Sequence, residues 1–167
     1  MSKKNRVPVN LVQLATQLAA QTSLWEPLVD YDPVSRYYAR LARESDFEAW
    51  LLTWVPGQGT QWHDHGGSAG AFITVRGSLT EDHAVVRPDG PPRVVPHSRE
   101  LTAGTLRPFG SKHVHKVTNQ SLEPAVSLHV YSRPFDTCVV YSPEQGTCGE
   151  IKLHFNTEYG KPHPVRG

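Results

Sequence analysis

The chain has 167 residues, of which 38% are hydrophobic and 20% charged, a composition typical of a globular protein with one sizeable core. The formal net charge of +1 argues against a general role in binding nucleic acid or membrane surfaces. Two cysteines are too few for a disulfide scaffold, and no apolar run approaches the roughly 18–20 residues that span a bilayer. We therefore expect one domain over residues 1–167, in a cytoplasmic protein that acts as a monomer.

One amphipathic helix is predicted near the start of the chain. Within residues 9–22, apolar side chains recur at helical spacing at Leu11, Leu14, Ala15 and Leu18. Asn10 is suited to cap the helix, because its side chain can accept a hydrogen bond from a free backbone N–H. Trp25-Glu26-Pro27 then breaks the pattern, so we place a helical N-terminal segment within about residues 1–34.

Short strands and turns are predicted for most of the remaining chain. Residues 37–41 could form a strand or a short helix, and further extended segments are predicted over 47–55, 81–86, 93–95, 124–131, 139–141 and 151–155. The β-branched stretch 70–80 is expected to end at a turn at Gly77, and 101–107 to turn at Gly104. Regular turns and 14 prolines favour an all-β sandwich or barrel over about residues 35–156. Residues 157–167 are predicted to be a loose tail.

The most informative stretch, GQGTQWHDHGGSAGAFITVRG, runs from Gly57 to Gly77. His63 and His65 are one residue apart, which places both imidazoles on one face of a strand. Flanking glycines favour a strand between tight turns. A second pair, His113 and His115, has the same parity, so spacing alone leaves either one as a third metal ligand.

These spacings resemble the two motifs of the cupin superfamily. The first is Gly57-(five)-His63-x-His65-(four)-Gly70-(six)-Gly77, and the second is His115 followed by Asn119, after Pro108-x-Gly110. The resemblance covers most of the chain and implies a jelly-roll β-barrel with the motif histidines facing its interior. It favours His115 over His113 as the third ligand.

Gly70 departs from the cupin pattern, in which a glutamate usually stands at this position. Without that carboxylate, the predicted site consists of three neutral imidazoles. Such a site keeps the full positive charge of its metal, which favours an anionic partner such as a thiolate and leaves room for dioxygen. Imidazoles bind Fe, Zn, Cu or Ni, so the ligands alone do not name the metal.

A longer set of residues resembles one cupin family, the thiol dioxygenases, and among them the bacterial cysteine dioxygenases. It extends from about residue 35 to 156 and includes Tyr38-x-Arg40, His63-Asp64-His65, His115-Lys116-Val117-x-Asn119 and the run EPAVSLHVYSRPFDTC at 123–138. The resemblance implies an enzyme that oxidises L-cysteine with O2 to cysteine sulfinic acid. It also implies one Fe(II) per chain, held by His63, His65 and His115.

The same resemblance implies roles for five further residues. Arg40 is expected to bind the substrate carboxylate, with Tyr38 lining the same pocket. Tyr131 is expected to place its hydroxyl near the substrate, oriented by Ser127 and His129. Strand alternation independently puts these last three on one face, where they could form a side-chain relay.

Two departures from the family bear on this pocket. Animal members carry a cysteine at the position of Gly70 that cross-links to the active-site tyrosine, and no such cross-link can form here at Tyr131.

The second departure is Arg133, which stands where family members often have a proline preceded by a cis bond. Because a cis bond before a residue other than proline costs about 2.5–4 kcal/mol, we expect a trans Ser132–Arg133 bond. That could bring Arg133 near the substrate carboxylate.

Two alternative functions are open at this point. One is a dioxygenase of another small thiol acid, such as 3-mercaptopropionate. Those enzymes typically carry glutamine in place of Arg40, so Arg40 favours cysteine, whereas Arg133 favours this alternative. The other is a metal-binding cupin without oxygenase activity, such as an isomerase or a sensor module. No role is assigned to His83, His97, His154, His163 or Cys148, and surface positions are the expectation for these histidines.

Overall fold

The computed structural model describes residues 8–143 and 147–152. Helices α1 and α2 span Leu11–Ala20 and Thr22–Trp25, and a 3-10 turn follows at Glu26–Leu28. The strands are β1 Tyr38–Arg43, β2 Glu48–Trp54, β3 Trp62–His63, β4 Gly70–Arg76, β5 Ser78–Arg87, β6 Gly90–Val94, β7 Arg99–Thr102, β8 Leu106–Phe109, β9 Val114–Thr118, β10 Ala125–Tyr131, β11 Thr137–Ser142 and β12 Thr147–Lys152. The predicted tail, His154, His163 and the side chain of Cys148 lie outside the described residues.

The strands form two antiparallel sheets. The five-stranded sheet has the order β1-β2-β10-β4-β8. The seven-stranded sheet has the order β12-β11-β3-β9-β5-β6, and β7 also pairs with β5. Strands distant in the chain are neighbours in space, as when β10 lies between β2 and β4. The predicted all-β jelly-roll barrel with a helical N-terminal segment is confirmed.

Helix α1 packs on the outer face of the five-stranded sheet. Asn10 caps it as predicted, since its Oδ1 accepts from the backbone N–H of Gln13 at 3.0 Å. The helix ends at Ala20 rather than Thr22, because Gln21 leaves the helical region at φ −88° and ψ 64°. Its buried residues contact an apolar cluster on the sheet that includes Leu51, Ala71, Ile73, Val126, Leu128 and Val130. Within the described residues, no helix has the length and apolar character needed to cross a membrane.

The alternation of β10 determines which of its side chains face the barrel interior. Val126, Leu128 and Val130 belong to the outer cluster under α1. The intervening residues of β10 therefore point between the two sheets. A second apolar cluster fills that interior with side chains from both sheets, namely Trp54, Phe72, Leu79, Leu101, Val117 and Ala125.

The segment before β1 has no regular secondary structure, yet hydrogen bonds hold it against the barrel. The backbone N–H of Thr53 donates to the carbonyl of Tyr37 at 2.9 Å. Gln58 Nε2 donates to the carbonyl of Asp32 at 2.7 Å. These contacts hold the segment that carries Arg36 beside β2.

Candidate metal centre and active site

Strand β3 brings the first histidine pair to the interior. His63 is the register partner of His115 on β9, and β11 pairs with β3 on its other side. Strand β3 ends at His63, so the prediction that one strand carries both histidines is only partly correct. Asp64 continues the backbone pairing, since its N–H donates to the carbonyl of Val139 at 3.0 Å. His65 follows and is buried.

The ligand nitrogens of His63, His65 and His115 all lie within 4.8 Å of one another. The Nε2 atoms of His65 and His115 are 3.1 Å apart. Two nitrogens bound to one metal at about 2.0–2.1 Å, at angles between right and tetrahedral, would be roughly 2.8–3.4 Å apart. The spacing of His65 and His115 therefore fits two ligands of one metal ion, and His63 lies near enough to join them.

Hydrogen bonds hold two of the three imidazoles in the tautomer that binds a metal through Nε2. His63 Nδ1 donates to the carbonyl of Gln61 at 2.8 Å. His115 Nδ1 donates to Glu81 Oε2 at 3.3 Å. Because neither acceptor carries a proton, each Nδ1 must carry one, which leaves an Nε2 lone pair free. His65 Nδ1 is buried without a described partner.

Burial also keeps the triad neutral. It lowers the pKa of His63 to about 3 and holds the pKa of His65 well below its ordinary value. The pKa of His115 is lowered too, again chiefly by burial. Neutral imidazole is the form that binds metal ions, and lone pairs brought together in a buried site are stabilised by a cation between them.

His113, the rival third ligand, lies outside this triad. Its Nε2 is 3.7 Å from Glu81 Oε1, and its ring packs on Phe109 with centroids 5.1 Å apart. It forms a separate group with Glu81 and His115. The structure thus brings His115, rather than His113, together with His63 and His65.

Aromatic rings cover His65. The ring of Phe109 stacks on it with centroids 4.4 Å apart, and the ring of Tyr131 stacks at 5.7 Å. Phe135 meets Tyr131 edge to face at 4.9 Å. Burial raises the pKa of Tyr131, so its phenol is protonated at neutral pH. The site therefore combines neutral ligands with apolar walls and one phenol.

Strand β10, which ends at Tyr131, also carries the predicted polar residues Ser127 and His129. Trp54 Nε1 donates to Ser127 Oγ at 2.9 Å, and Ser127 Oγ is hydrogen-bonded to His129 Nε2 at 2.8 Å. The first link of the predicted relay is therefore present. No described hydrogen bond forms the second link, from His129 to Tyr131, whose ring centroids are 6.4 Å apart. Phe72 stacks on His129 at 4.8 Å, and burial holds the pKa of His129 well below its ordinary value.

Arg36 is the residue that the sequence reasoning missed. Its guanidinium lies 4.8 Å above the ring of Trp54. Its Nε and Nη1 atoms are buried without a described hydrogen-bond partner. Its charge interacts with Tyr131 and Tyr38, and it contributes to lowering the pKa of His63. A half-buried cation with no described ion-pair partner therefore acts on His63 and on the phenol.

Arg40, the residue expected to bind a carboxylate, has other contacts. Its guanidinium lies over the ring of Trp50 at 5.6 Å, and its Nη1 is 3.8 Å from the buried carboxylate of Glu48. Arg43 pairs with the same carboxylate at 3.2 Å. The described contacts of Arg40 are therefore made to other side chains of the protein. Tyr38 is buried and meets Trp50 edge to face at 5.7 Å.

No local signal distinguishes Arg36, because it precedes β1 and strand alternation does not apply to it. Its burial depends on the hydrogen bonds that hold the segment against β2.

Glu81 was also missed, although the alternation of β5 indicates that it is buried. It is in phase with Leu79 on β5, and both are fully buried. An acidic residue at an inward position of a strand indicates a buried partner.

The structure tests the predictions for the Ser132–Arg133 bond and for two of the unassigned histidines. The Ser132–Arg133 bond is trans, as predicted, like every other peptide bond in the described residues. Arg133 is exposed, and its Nη2 donates to the carbonyl of Gly67 at 3.4 Å. The expected surface position holds for His97 but is wrong for His83, which is half-buried where β5 pairs with β9.

The barrel and its inward-facing triad define a cupin with a metal-binding site. The chain belongs to the cysteine dioxygenase type I family, whose model matches residues 1–144. Cysteine dioxygenase type 1 of Rattus norvegicus is 29% identical over 164 residues, which cover 91% of this chain and 80% of the rat protein. The Danio rerio protein of the same name is 31% identical over 157 residues, covering 84% and 72%.

Solved structures support the fold alone. A cupin superfamily protein of Desulfitobacterium hafniense DCB-2 superposes with a TM-score of 0.52 at 9% sequence identity. The match covers 80% of this chain and 95% of that protein. At this identity the likeness extends to the barrel and not to the chemistry of its site.

Proposed function

We propose that this chain is a non-haem Fe(II) cysteine dioxygenase that converts L-cysteine and O2 into cysteine sulfinic acid. One observation supports the proposal beyond family membership: Arg36 has buried N–H groups, without a partner among the described residues, near a triad of imidazoles that could bind a metal. A buried cation without a partner is costly, and a small anionic substrate would satisfy it. A thiol that also carries a carboxylate can engage both features at once.

The proposed cofactor is one Fe(II) per chain, held by His63, His65 and His115. When bound, it supplies the redox chemistry that couples O2 to the oxidation of a thiol. The remaining chemistry belongs to the protein side chains, which bind the substrate, orient it and exclude water.

Arg36 is proposed to bind the substrate carboxylate. Guanidinium and carboxylate form paired, charge-assisted hydrogen bonds, which are roughly twice as strong as those between neutral groups. Trp54 supports the guanidinium from one face, at 4.8 Å. Tyr38, whose hydroxyl interacts with the charge of Arg36, is proposed to line the same pocket. The alternative is that Arg40 binds the carboxylate, as the sequence resemblance implies.

Tyr131 is proposed to donate a hydrogen bond from its phenol to the substrate. Its raised pKa keeps the proton on the oxygen, and the apolar rings around it limit competition from water. Ser127 and His129 are proposed to fix the wall behind it through their 2.8 Å hydrogen bond. The phenol would thus be oriented by packing as well as by polar contacts.

We further propose that the enzyme acts as a monomer in the cytoplasm. The triad, Arg36 and Tyr131 all come from one chain, so the proposed site is complete without a partner. The buried free thiol of Cys138 suits a reducing compartment.

The decisive experiment measures O2 uptake by protein reconstituted with Fe(II) without oxygen and then given L-cysteine in air. We expect one O2 consumed per cysteine sulfinic acid formed, with both oxygens of the product labelled when 18O2 is used. Faster turnover of 3-mercaptopropionate would favour the other thiol acid. Absence of O2 uptake with any thiol, in protein that holds iron, would favour a cupin without oxygenase activity.

Metal analysis tests the ligand assignment separately. His115→Ala is expected to lose stoichiometric iron, whereas His113→Ala should retain it. Iron content measured after anaerobic loading and desalting distinguishes the two. The opposite result would make His113 the third ligand.

A further inference from the structure

Glu81 is a fully buried carboxylate next to the metal centre. It lies on β5, whose register pairs it with Val117 on β9. Arg107 Nε donates to its Oε1 at 2.8 Å, and His115 Nδ1 donates to its Oε2 at 3.3 Å. A buried charge persists only when it is paired and hydrogen-bonded. Arg107 provides the opposite charge, so the second oxygen is available to His115.

The three imidazoles of the triad differ in what holds their outer nitrogen. A backbone carbonyl accepts from His63, and His65 Nδ1 has no described partner. Among the described contacts, Glu81 is the one carboxylate that reaches a ring nitrogen of the triad. Within the triad, described contact with a carboxylate is therefore confined to His115.

We propose that Glu81 is a positioning residue that holds His115 in the Nδ1–H tautomer and strengthens it as a metal ligand. Neutral histidine in water prefers its proton on Nε2, the nitrogen that here faces His65. A carboxylate behind the ring reverses this preference, frees the Nε2 lone pair and makes the imidazole a better donor. The inference rests on the metal centre of the proposed function but not on its substrate.

Two variants separate this role from simple stabilisation. Glu81→Gln and Arg107→Gln both break the buried ion pair, so both should lower the midpoint of thermal unfolding of the metal-free protein. Only Glu81→Gln removes the charge behind His115. Titration with Co(II) in a calorimeter should show affinity about 10- to 100-fold weaker for Glu81→Gln and nearly unchanged for Arg107→Gln.

The Co(II) titrations distinguish an error in the role of Glu81 from an error in the proposed metal centre. If the unaltered protein binds no metal, the metal centre itself is wrong. If it binds Co(II) and Glu81→Gln binds equally well, or Arg107→Gln weakens binding as much, the role of Glu81 is wrong.

A measurement on the unaltered protein avoids dependence on folding of the variants. Nitrogen-15 chemical shifts of the His115 ring, recorded without metal, report which nitrogen carries the proton. We expect the Nδ1–H form. The Nε2–H form would overturn the inference.

Discussion

The ring of Phe109 occupies the volume that a side chain on Gly70 would enter. A Cβ at position 70 would lie 2.4 Å from Phe109 Cζ and 2.8 Å from the carbonyl oxygen of Val130. The two residues are register partners on β8 and β4. The space beside Gly70 is thus filled by an aromatic ring from the neighbouring strand, stacked on His65.

Gly70→Cys is therefore expected to destabilise the protein by about 1–3 kcal/mol, because the new side chain overlaps both a ring and a backbone oxygen. Urea unfolding of the metal-free protein measures the change. Gly110→Ala is the matched control, since a Cβ there meets nothing within 4 Å. A Gly70→Cys protein as stable as the unaltered one would mean that Phe109 moves aside at little cost.

Replacing each arginine in turn tests which one binds the substrate. Arg36→Ala should raise KM for L-cysteine about 10- to 100-fold, because two charge-assisted hydrogen bonds are lost at roughly 1.5–3 kcal/mol each, partly offset by water. Arg40→Ala should change KM by less than Arg36→Ala, since Glu48 already engages that side chain. Steady-state O2 uptake gives both values. The reverse order would restore Arg40 as the carboxylate-binding residue.

Tyr131→Phe removes the phenol while keeping the ring against His65. We expect kcat to fall on the order of 100-fold, the range of a positioned proton donor, with iron content unchanged. Tyr31→Phe serves as the control, because Tyr31 is 36% exposed and precedes the barrel. An unchanged kcat for Tyr131→Phe would remove its proposed role.

Ser127 and Thr74 are register partners whose buried hydroxyls differ in their hydrogen bonding. Ser127 Oγ has two hydrogen-bond partners, Trp54 and His129, whereas Thr74 Oγ1 has none described. Ser127→Ala should cost about 1–3 kcal/mol by leaving those partners unsatisfied. Thr74→Val should be neutral or stabilising. Urea unfolding compares them, and equal effects would show that the Ser127 contacts contribute little.

Sequence patterns predict most of this fold because its strands alternate and its turns carry glycine or proline. β10 is the clearest case, since its apolar and polar residues divide between the helix-covered face and the interior. Gly77, predicted as a turn glycine, separates β4 from β5 at φ 70°. The triad was also predictable, because motif spacing identifies residues whose strands are register partners.

The parts that sequence patterns miss depend on contacts between distant segments. Arg36 is buried by hydrogen bonds from Thr53 and Gln58 to its segment, and nothing in its immediate neighbours indicates this. Phe109 reaches His65 only because β8 pairs with β4. The choice of His115 over His113 rested on the motif that ends at Asn119, because strand parity is the same for both histidines.

The two sheets contribute different parts of the site. His63, His65 and His115 come from the seven-stranded sheet or directly follow one of its strands, whereas Ser127 and Tyr131 come from the five-stranded sheet. In the proposed function, the seven-stranded sheet would retain the metal while the five-stranded sheet would contact the thiol. Substitutions of Ser127 or Tyr131 would then change how a thiol is turned over without loss of the metal, so new activities could be selected on one sheet alone.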